Sequence, residues 1–444
     1  MARYNRRYQN FRPTCSDDAV VSGIDEYVAY LAAFLERGNM EMFLKRLAEL
    51  SAKLRSEPLW GRALFVPELD ELVRRASLII TPKPNPSANS KLLVHIATEV
   101  YPWGGHTRVI EDIAASLPEY RHALIITRMH EAHPDLACLK PRFDELNLKV
   151  HLLGASSWAE KARQLSSLVT VLAPDAILLF GFPDDSVAYT SVAGHSAPRV
   201  LFLHHADHHP CLGALRVDYT HVDLTPACHK ICASHPCLHA SMLNLTVKDT
   251  GTVQLVQRHP IIGVTCGSPQ KYAGSSEFSY AQLLAALFSA GVHQILHIGD
   301  MPEEQKNQIR AGIAASGQEA HRVIFLPNTP SLAAKLVETS PDFYLTSHPT
   351  GSGKATVEAL SVGLPILYVR PASTPSLLNS DMTFTTSVPV STLEQVPAAV
   401  HRLETEKAEL AKRSRAVYEK HYSPAAFREG LLSAMGIDPD LLRC

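Results

Sequence analysis

The stretch SHPTGSGKATVEALSVGLPILY at residues 347–368 reads as one folding unit. Ser347-His348-Pro349 leaves a strand, Gly351-Ser352-Gly353 makes the turn, and residues 352–362 carry a helical pattern. Gly363 closes that helix and Pro365 opens a buried strand. The same rhythm runs backwards through DFYLTS (342–347), a helix at 330–338, RVIFLPN (322–328) and a helix at 302–316. It continues through QILHIGD (294–300) and a helix at 279–290 to HPIIGVTCGS (259–268). An earlier series of similar length holds LLVHIATEV (92–100), a helix at 106–117, HALIITRM (122–129), LKVHLLG (148–154) and a helix at 158–171. DAILLFG (175–181), PRVLFLHHAD (198–207) and HVDLTPA (221–227), which leads into a helix, complete it. Short apolar runs alternating with amphipathic helices build a parallel sheet covered on both faces. Two such series, joined near residues 245–258, predict an α/β fold of two Rossmann-like, doubly wound lobes.

Ahead of them, residues 17–80 are helical in pattern. Tyr27, Tyr30, Leu31, Phe34 and Leu35 recur at three- and four-residue steps, as do Phe43, Leu44, Leu47 and Leu50. TPKPNPSANS (81–90) is a proline-rich connection. The expected organisation is a helical N-terminal segment at 1–90, an N-terminal lobe at 91–256, and a C-terminal lobe at 257–444 that ends in helices from about 391 to 436.

A chain of 444 residues exceeds one ordinary core and suits two lobes plus an extra segment. Its 42 basic and 44 acidic residues nearly cancel, so nothing points to nucleic acid as a partner. The opening MARYNRRYQNFRPT has no apolar run behind it, and no stretch reaches the roughly 18 apolar residues of a membrane span. A soluble protein is expected, with peripheral contact to a membrane-surface acceptor left open. Eight cysteines without scaffold-like spacing favour free thiols and the cytoplasm.

Ligands of parallel α/β sheets sit beyond the C-terminal strand ends, so the loops that enter helices carry the chemistry. In the 347–368 unit, Gly351, Ser352 and Gly353 let backbone amides approach an anion. Lys354 adds charge, the helix aims its positive end at the same point, and Glu358 stands one turn on, where a carboxylate accepts from ribose hydroxyls. A P-loop is excluded, because no glycine stands at the first position of the pattern ahead of Lys354, and Ala355 occupies the Ser/Thr position after it. In GVTCGSPQKY (263–272), Gly267-Ser268 offers amides and Lys271 reaches for a diphosphate. HIGD (297–300) and LPNTPS (326–331) are expected as nucleoside walls. In EVYPWGGHTR (99–108), Gly104-Gly105 allows a close approach, and His106, just ahead of a helix, is a candidate general base or a cleft-lining residue.

HHADHHPCLG (204–213) follows a strand with four histidines and an aspartate. Asp207 paired with His205 or His208 is the candidate dyad for deprotonating a sugar hydroxyl. Cys211, Cys228, His229, Cys232, His235, Cys237 and His239 are further potential zinc ligands, but they lack a paired Cys-x-x-Cys knuckle. No metal site is assigned on spacing.

PWGGHTR, GSPQK and GSGKATVEALSVGLP together resemble the GT-B glycosyltransferases, over roughly residues 91–430. HHADHHPCLGALRVDY is similar to an H-A-D-H-x-x-x-L-G motif of bacterial members that act on surface polysaccharides or glycoproteins. The resemblance implies a nucleotide-sugar donor, UDP-sugar favoured, held by Lys271, Gly267, Ser268, the 351–354 turn, His348, Thr350 and Glu358. It places a glycan or protein acceptor on the N-terminal lobe, with Gly104 and Gly105 lining the cleft. Many retaining members carry two glutamates with seven residues between them around the glycine-rich turn. Here Glu358 matches the second and Thr350 stands at the first, which implies an inverting mechanism; the resemblance also implies no cofactor and no metal, and no Asp-x-Asp stands on an expected donor loop. The alternatives are a nucleotide-sugar epimerase or hydrolase on the same fold, or a non-catalytic scaffold partner of an active transferase.

Overall fold

A parallel strand covered on both faces must be apolar nearly throughout, and every residue of LLVHIA at 92–97 is buried. The computed structural model describes residues 18–54, 59–80, 90–102, 105–129, 136–193, 199–254, 260–272, 274–275 and 277–437. The first sheet has seven parallel strands: β1 (Leu92–Ala97), β2 (Arg121–Ile126), β3 (Leu148–Leu152), β4 (Ala176–Phe180), β5 (Val200–His204), β6 (Thr220–Asp223) and β7 (His239–Met242). The second has six: β8 (Ile261–Cys266), β9 (Val292–Ile298), β10 (Val323–Leu326), β11 (Phe343–Leu345), β12 (Ile366–Val369) and β13 (Val388–Val390), again all parallel. These are the two doubly wound sheets expected from the alternating pattern.

Strand order is β3-β2-β1-β4-β5-β6-β7 in one sheet and β10-β9-β8-β11-β12-β13 in the other. Each chain segment starts mid-sheet, builds outward to one side, then crosses and builds to the other. The loops after β1 and β4, and those after β8 and β11, therefore diverge around a crevice, the place where such sheets bind ligands. The short edge strands β7 and β13 and the helices Leu136–Glu145 and Ser186–Val192 have no counterpart in the expected series. HASM and VPV are too short and mixed to carry a period. The first of those helices contains Pro141, and the second has only seven residues, started by Asp185 whose side chain accepts from the Ala188 N–H.

The chain divides into two compact units. One is Met1–Leu224, Cys228–Leu243 and Arg428–Cys444; the other is Thr225–Ala227 and Asn244–Phe427. The expected boundary is 256/257; in this division residues 244–254 already belong to the second unit and residues 428–437 to the first, where Arg428 pairs with Glu119 at 2.8 Å. The helices Asp18–Glu36, Met40–Leu54 and Pro67–Ile80 form no separate core. Leu31, Phe43, Leu44, Leu47, Leu72 and Val73 are buried in one cluster with Val94, Ile96, Ile125, Ile177 and Phe202 of the sheet.

Those helices also hold a loop of the site. Asp70 accepts from the N–H groups of Gly213 (2.6 Å) and Leu215 (3.0 Å), and the Gly61 N–H donates to the His208 carbonyl at 2.8 Å. Burial pushes the Asp70 carboxyl up to about 7 against the pull of these N–H donors. The helical segment thus fixes the histidine-rich loop that follows β5.

Candidate active site

In the first unit the loops after β1 and β4 are tied together by one carboxylate. Asp185 Oδ2 accepts from Thr98 Oγ1 (2.7 Å) and Thr127 Oγ1 (2.6 Å), and Thr98 Oγ1 in turn accepts from the Phe182 N–H at 2.6 Å. Glu99 is buried, and its Oε2 accepts from Tyr101 OH at 2.5 Å. His106 opens the helix Gly105–Ser116, and its Nε2 lies 2.8 Å from the Glu99 carbonyl. A carbonyl only accepts, so Nε2 carries the proton and Nδ1 keeps its lone pair. Burial lowers the His106 pKa below the ordinary imidazole value, opposed by the Glu99 carbonyl. The rings of Tyr101, Phe182 and His205 surround it at centroid distances of 5.6, 5.5 and 5.6 Å.

The candidate dyad is looser. His208 Nδ1 lies 3.6 Å from Asp207 Oδ1, beyond hydrogen-bonding distance. His205 turns toward His106, and its Nε2 is buried without a hydrogen-bond partner among the described residues. Burial and the neighbouring His106 push the His205 pKa down to about 3. Gly104 lies outside the described residues. A Cβ at Gly105 would meet nothing within 4 Å, so no close packing demands glycine there.

In the second unit the two loops predicted to share a ligand meet directly. Lys271 Nζ donates to the Gly351 carbonyl at 3.1 Å, joining the loop after β8 to the glycine-rich turn after β11. The approach is close on both sides. A Cβ on Gly267 would stand 3.0 Å from Ser352 Oγ, and one on Gly351 would stand 2.6 Å from Asn379 Oδ1. Ser347 Oγ donates to the Thr350 carbonyl and lies 2.8 Å from Ser352 Oγ, which holds the turn's shape. Ser352 precedes the helix Gly353–Ser361 and makes no side-chain capping bond, so its hydroxyl leaves the first N–H groups of the helix to other partners. Lys354 and Glu358 are half-buried on that helix. Burial pushes the Cys266 thiol up to about 12, Glu358 adding to the rise and Lys271 opposing it, so both charges bear on the end of β8.

The Ser268 carbonyl accepts from the Lys271 N–H, which makes the lysine's turn. His348 differs from the rest. It is wholly buried with Phe278 against it, and burial drops its pKa to about 4. At the next strand end, Asn328 binds the Asp300 carboxylate, linking the HIGD and LPNTPS segments. Gly299 has φ +147°, and a Cβ there would sit 2.5 Å from the Gly267 carbonyl oxygen. Gly299→Ala is expected to destabilise the protein by about 2–4 kcal/mol, from left-handed strain plus a backbone clash. Denaturant unfolding checks this, and an unchanged midpoint would refute the close approach.

Sequence reasoning missed Thr98, Glu99, Tyr101, Phe182, Asp185 and Asn379. GFPDD at 181–185 ends a predicted strand, but only strand order makes it a neighbour of the loop after β1. Asn379 donates to the carbonyls of Ser347 (3.3 Å) and Val369 (2.8 Å) from a loop with no sequence mark.

No family model matches the chain, and no curated protein matches it in sequence. Solved structures do. A lipopolysaccharide outer core galactosyltransferase, WaaB, is 15% identical with TM-score 0.59, covering 78% of this chain and 99% of its own. A mutant of the Thermobaculum terrenum O-GlcNAc transferase is 14% identical with TM-score 0.57, covering 92% and 82%. Anabaena HepE, solved in complex with UDP and glucose, is 13% identical with TM-score 0.54, covering 78% and 99%. No described helix is long and apolar enough to cross a membrane. At these identities the likeness establishes architecture: the chain has the GT-B fold, with two Rossmann-like sheets and added N-terminal helices.

Proposed function

We propose that the chain is a glycosyltransferase that moves a sugar from a nucleotide donor, a UDP-sugar first among them, to a glycan or protein acceptor. Transfer inverts the anomeric centre and needs no metal there. The observation that carries the donor site is the bond from Lys271 Nζ to the Gly351 carbonyl. It gathers an ammonium group, a glycine-rich turn and a helix start that the Ser352 side chain does not cap at the crevice between β8 and β11. That is a cradle for a diphosphate. Glu358, one turn further along, accepts from the ribose hydroxyls. HepE, of the same fold, is solved with UDP-glucose, which supports a uridine donor. No disulfide joins the described cysteines, which suits a reducing cytoplasm.

Among the four candidate bases, His106 has the most suitable geometry. Its Nε2 proton is committed to the Glu99 carbonyl, leaving Nδ1 to accept. His205, with a pKa near 3, is too weak a base at neutral pH, and Asp207 makes no hydrogen bond to His208. The acceptor oxygen attacks the anomeric carbon while the bond to the diphosphate breaks. The acceptor proton passes to His106 Nδ1, and the charge left on the diphosphate is met by Lys271, Lys354 and backbone N–H groups. Asp207 and His208 flank the acceptor.

Calorimetric titration with UDP, GDP, dTDP, ADP and CMP, with and without added magnesium or manganese, tests the reading. The expected result is micromolar binding of one nucleotide, UDP, unchanged by the metal. No binding to any of them would overturn the donor site, and rapid donor consumption without an acceptor would indicate a hydrolase or epimerase instead.

A further inference from the structure

β5 and β6 end on His204 and Asp223, which are register partners in the ladder, so the two side chains leave the sheet at one level. The helix Pro226–Ser234 then presents Cys228 and Cys232 one turn apart on one face. All four side chains are buried. One donor atom from each lies within 4.8 Å of the others. Cys228 Sγ is 3.2 Å from Asp223 Oδ1, and Cys232 Sγ is 3.6 Å from His204 Nε2.

We propose that His204, Asp223, Cys228 and Cys232 form a closed, structural zinc site in the first unit. Zinc bonds of roughly 2.3 Å to sulfur and 2.0–2.2 Å to nitrogen or oxygen give a tetrahedron with edges of about 3.3–3.8 Å. The two contacts above are already close to that length, and the widest separation need shorten by only about 1 Å. Two thiolates with an imidazole and a carboxylate make a donor set that suits zinc rather than magnesium or calcium. Four protein ligands leave no position for a substrate, so the role is structural.

The surroundings fit a metal centre. His229 Nδ1 lies 2.9 Å from Asp223 Oδ2, the outer contact that orients a ligating carboxylate. Phe65 sets its ring edge-on to His204 and His221, at centroid distances of 6.2 and 6.1 Å, and shields the group from water. His221 Nδ1 lies 2.9 Å from His204 Nε2, and binding of the ion through that nitrogen replaces this hydrogen bond. Loading releases the two thiol protons to solvent. Spacing alone hid the set, because two strands and a helix each contribute ligands and no knuckle exists.

The test uses the full chain purified without chelator. Mass spectrometry of the metal content is expected to give about one zinc per chain, and the double variant Cys228→Ser/Cys232→Ser to lose it. In case that variant does not fold, the unaltered protein is titrated with a mercurial in the presence of a zinc-sensitive dye. Zinc release in step with thiol modification, and a thiolate-to-cobalt charge-transfer band after exchange with cobalt, are expected. Folded protein that carries no zinc and develops no such band would overturn the site, as would zinc retained by a folded double variant.

Discussion

His106→Ala lowers kcat by about 10²- to 10⁴-fold, the usual contribution of a positioned general base. The donor's binding constant stays unchanged, since a general base takes the acceptor's proton only in the reacting complex. The pH profile separates a base from a packing residue. Burial lowers the His106 pKa, and a base must be unprotonated to act. Activity of the unaltered protein is therefore expected to hold from neutral pH down past about 6.5, the free imidazole value, and to fall only as the pH drops through the lowered pKa. The alanine variant should lose that acid limb along with its rate. A variant with full rate, or one that is slow but keeps the limb, would return the role to Asp207.

Lys271→Ala weakens UDP binding by about 10- to 100-fold, the range expected for one hydrogen bond to a charged group. Uridine, which lacks the diphosphate, should bind the variant and the unaltered protein equally. That comparison guards against a trivial explanation, because Lys271 also donates to the Gly351 carbonyl and its loss could loosen the turn. An equal loss for uridine and UDP would mean that the lysine only shapes the loop. No loss for either would remove it from the donor site.

How far the site was legible depends on what each residue's role rests on. That Lys271 and the 351–354 turn follow strand ends could be read because glycines and a lysine there have a local meaning, and the apolar runs of β8 and β11 are plain. His348 stands in the same turn, and nothing local in the sequence tells that it is packed against Phe278. Asp185 was invisible for the opposite reason. Its partners Thr98 and Thr127 are far away in sequence and meet it only once β4 is laid beside β1.

The sequence by itself determined the α/β class, the two βα series and the places where loops end strands. Those follow from the period of apolar residues and from turn-forming glycine and proline, which act over a few residues. Tertiary structure alone decided the strand order, and through it which loops share a crevice. It decided that the N-terminal helices join the first sheet's core and hold the histidine loop through Asp70. It also brought His204, Asp223, Cys228 and Cys232 to one point. Each of these rests on contacts between residues distant in the chain, and such contacts leave no periodic trace in the sequence.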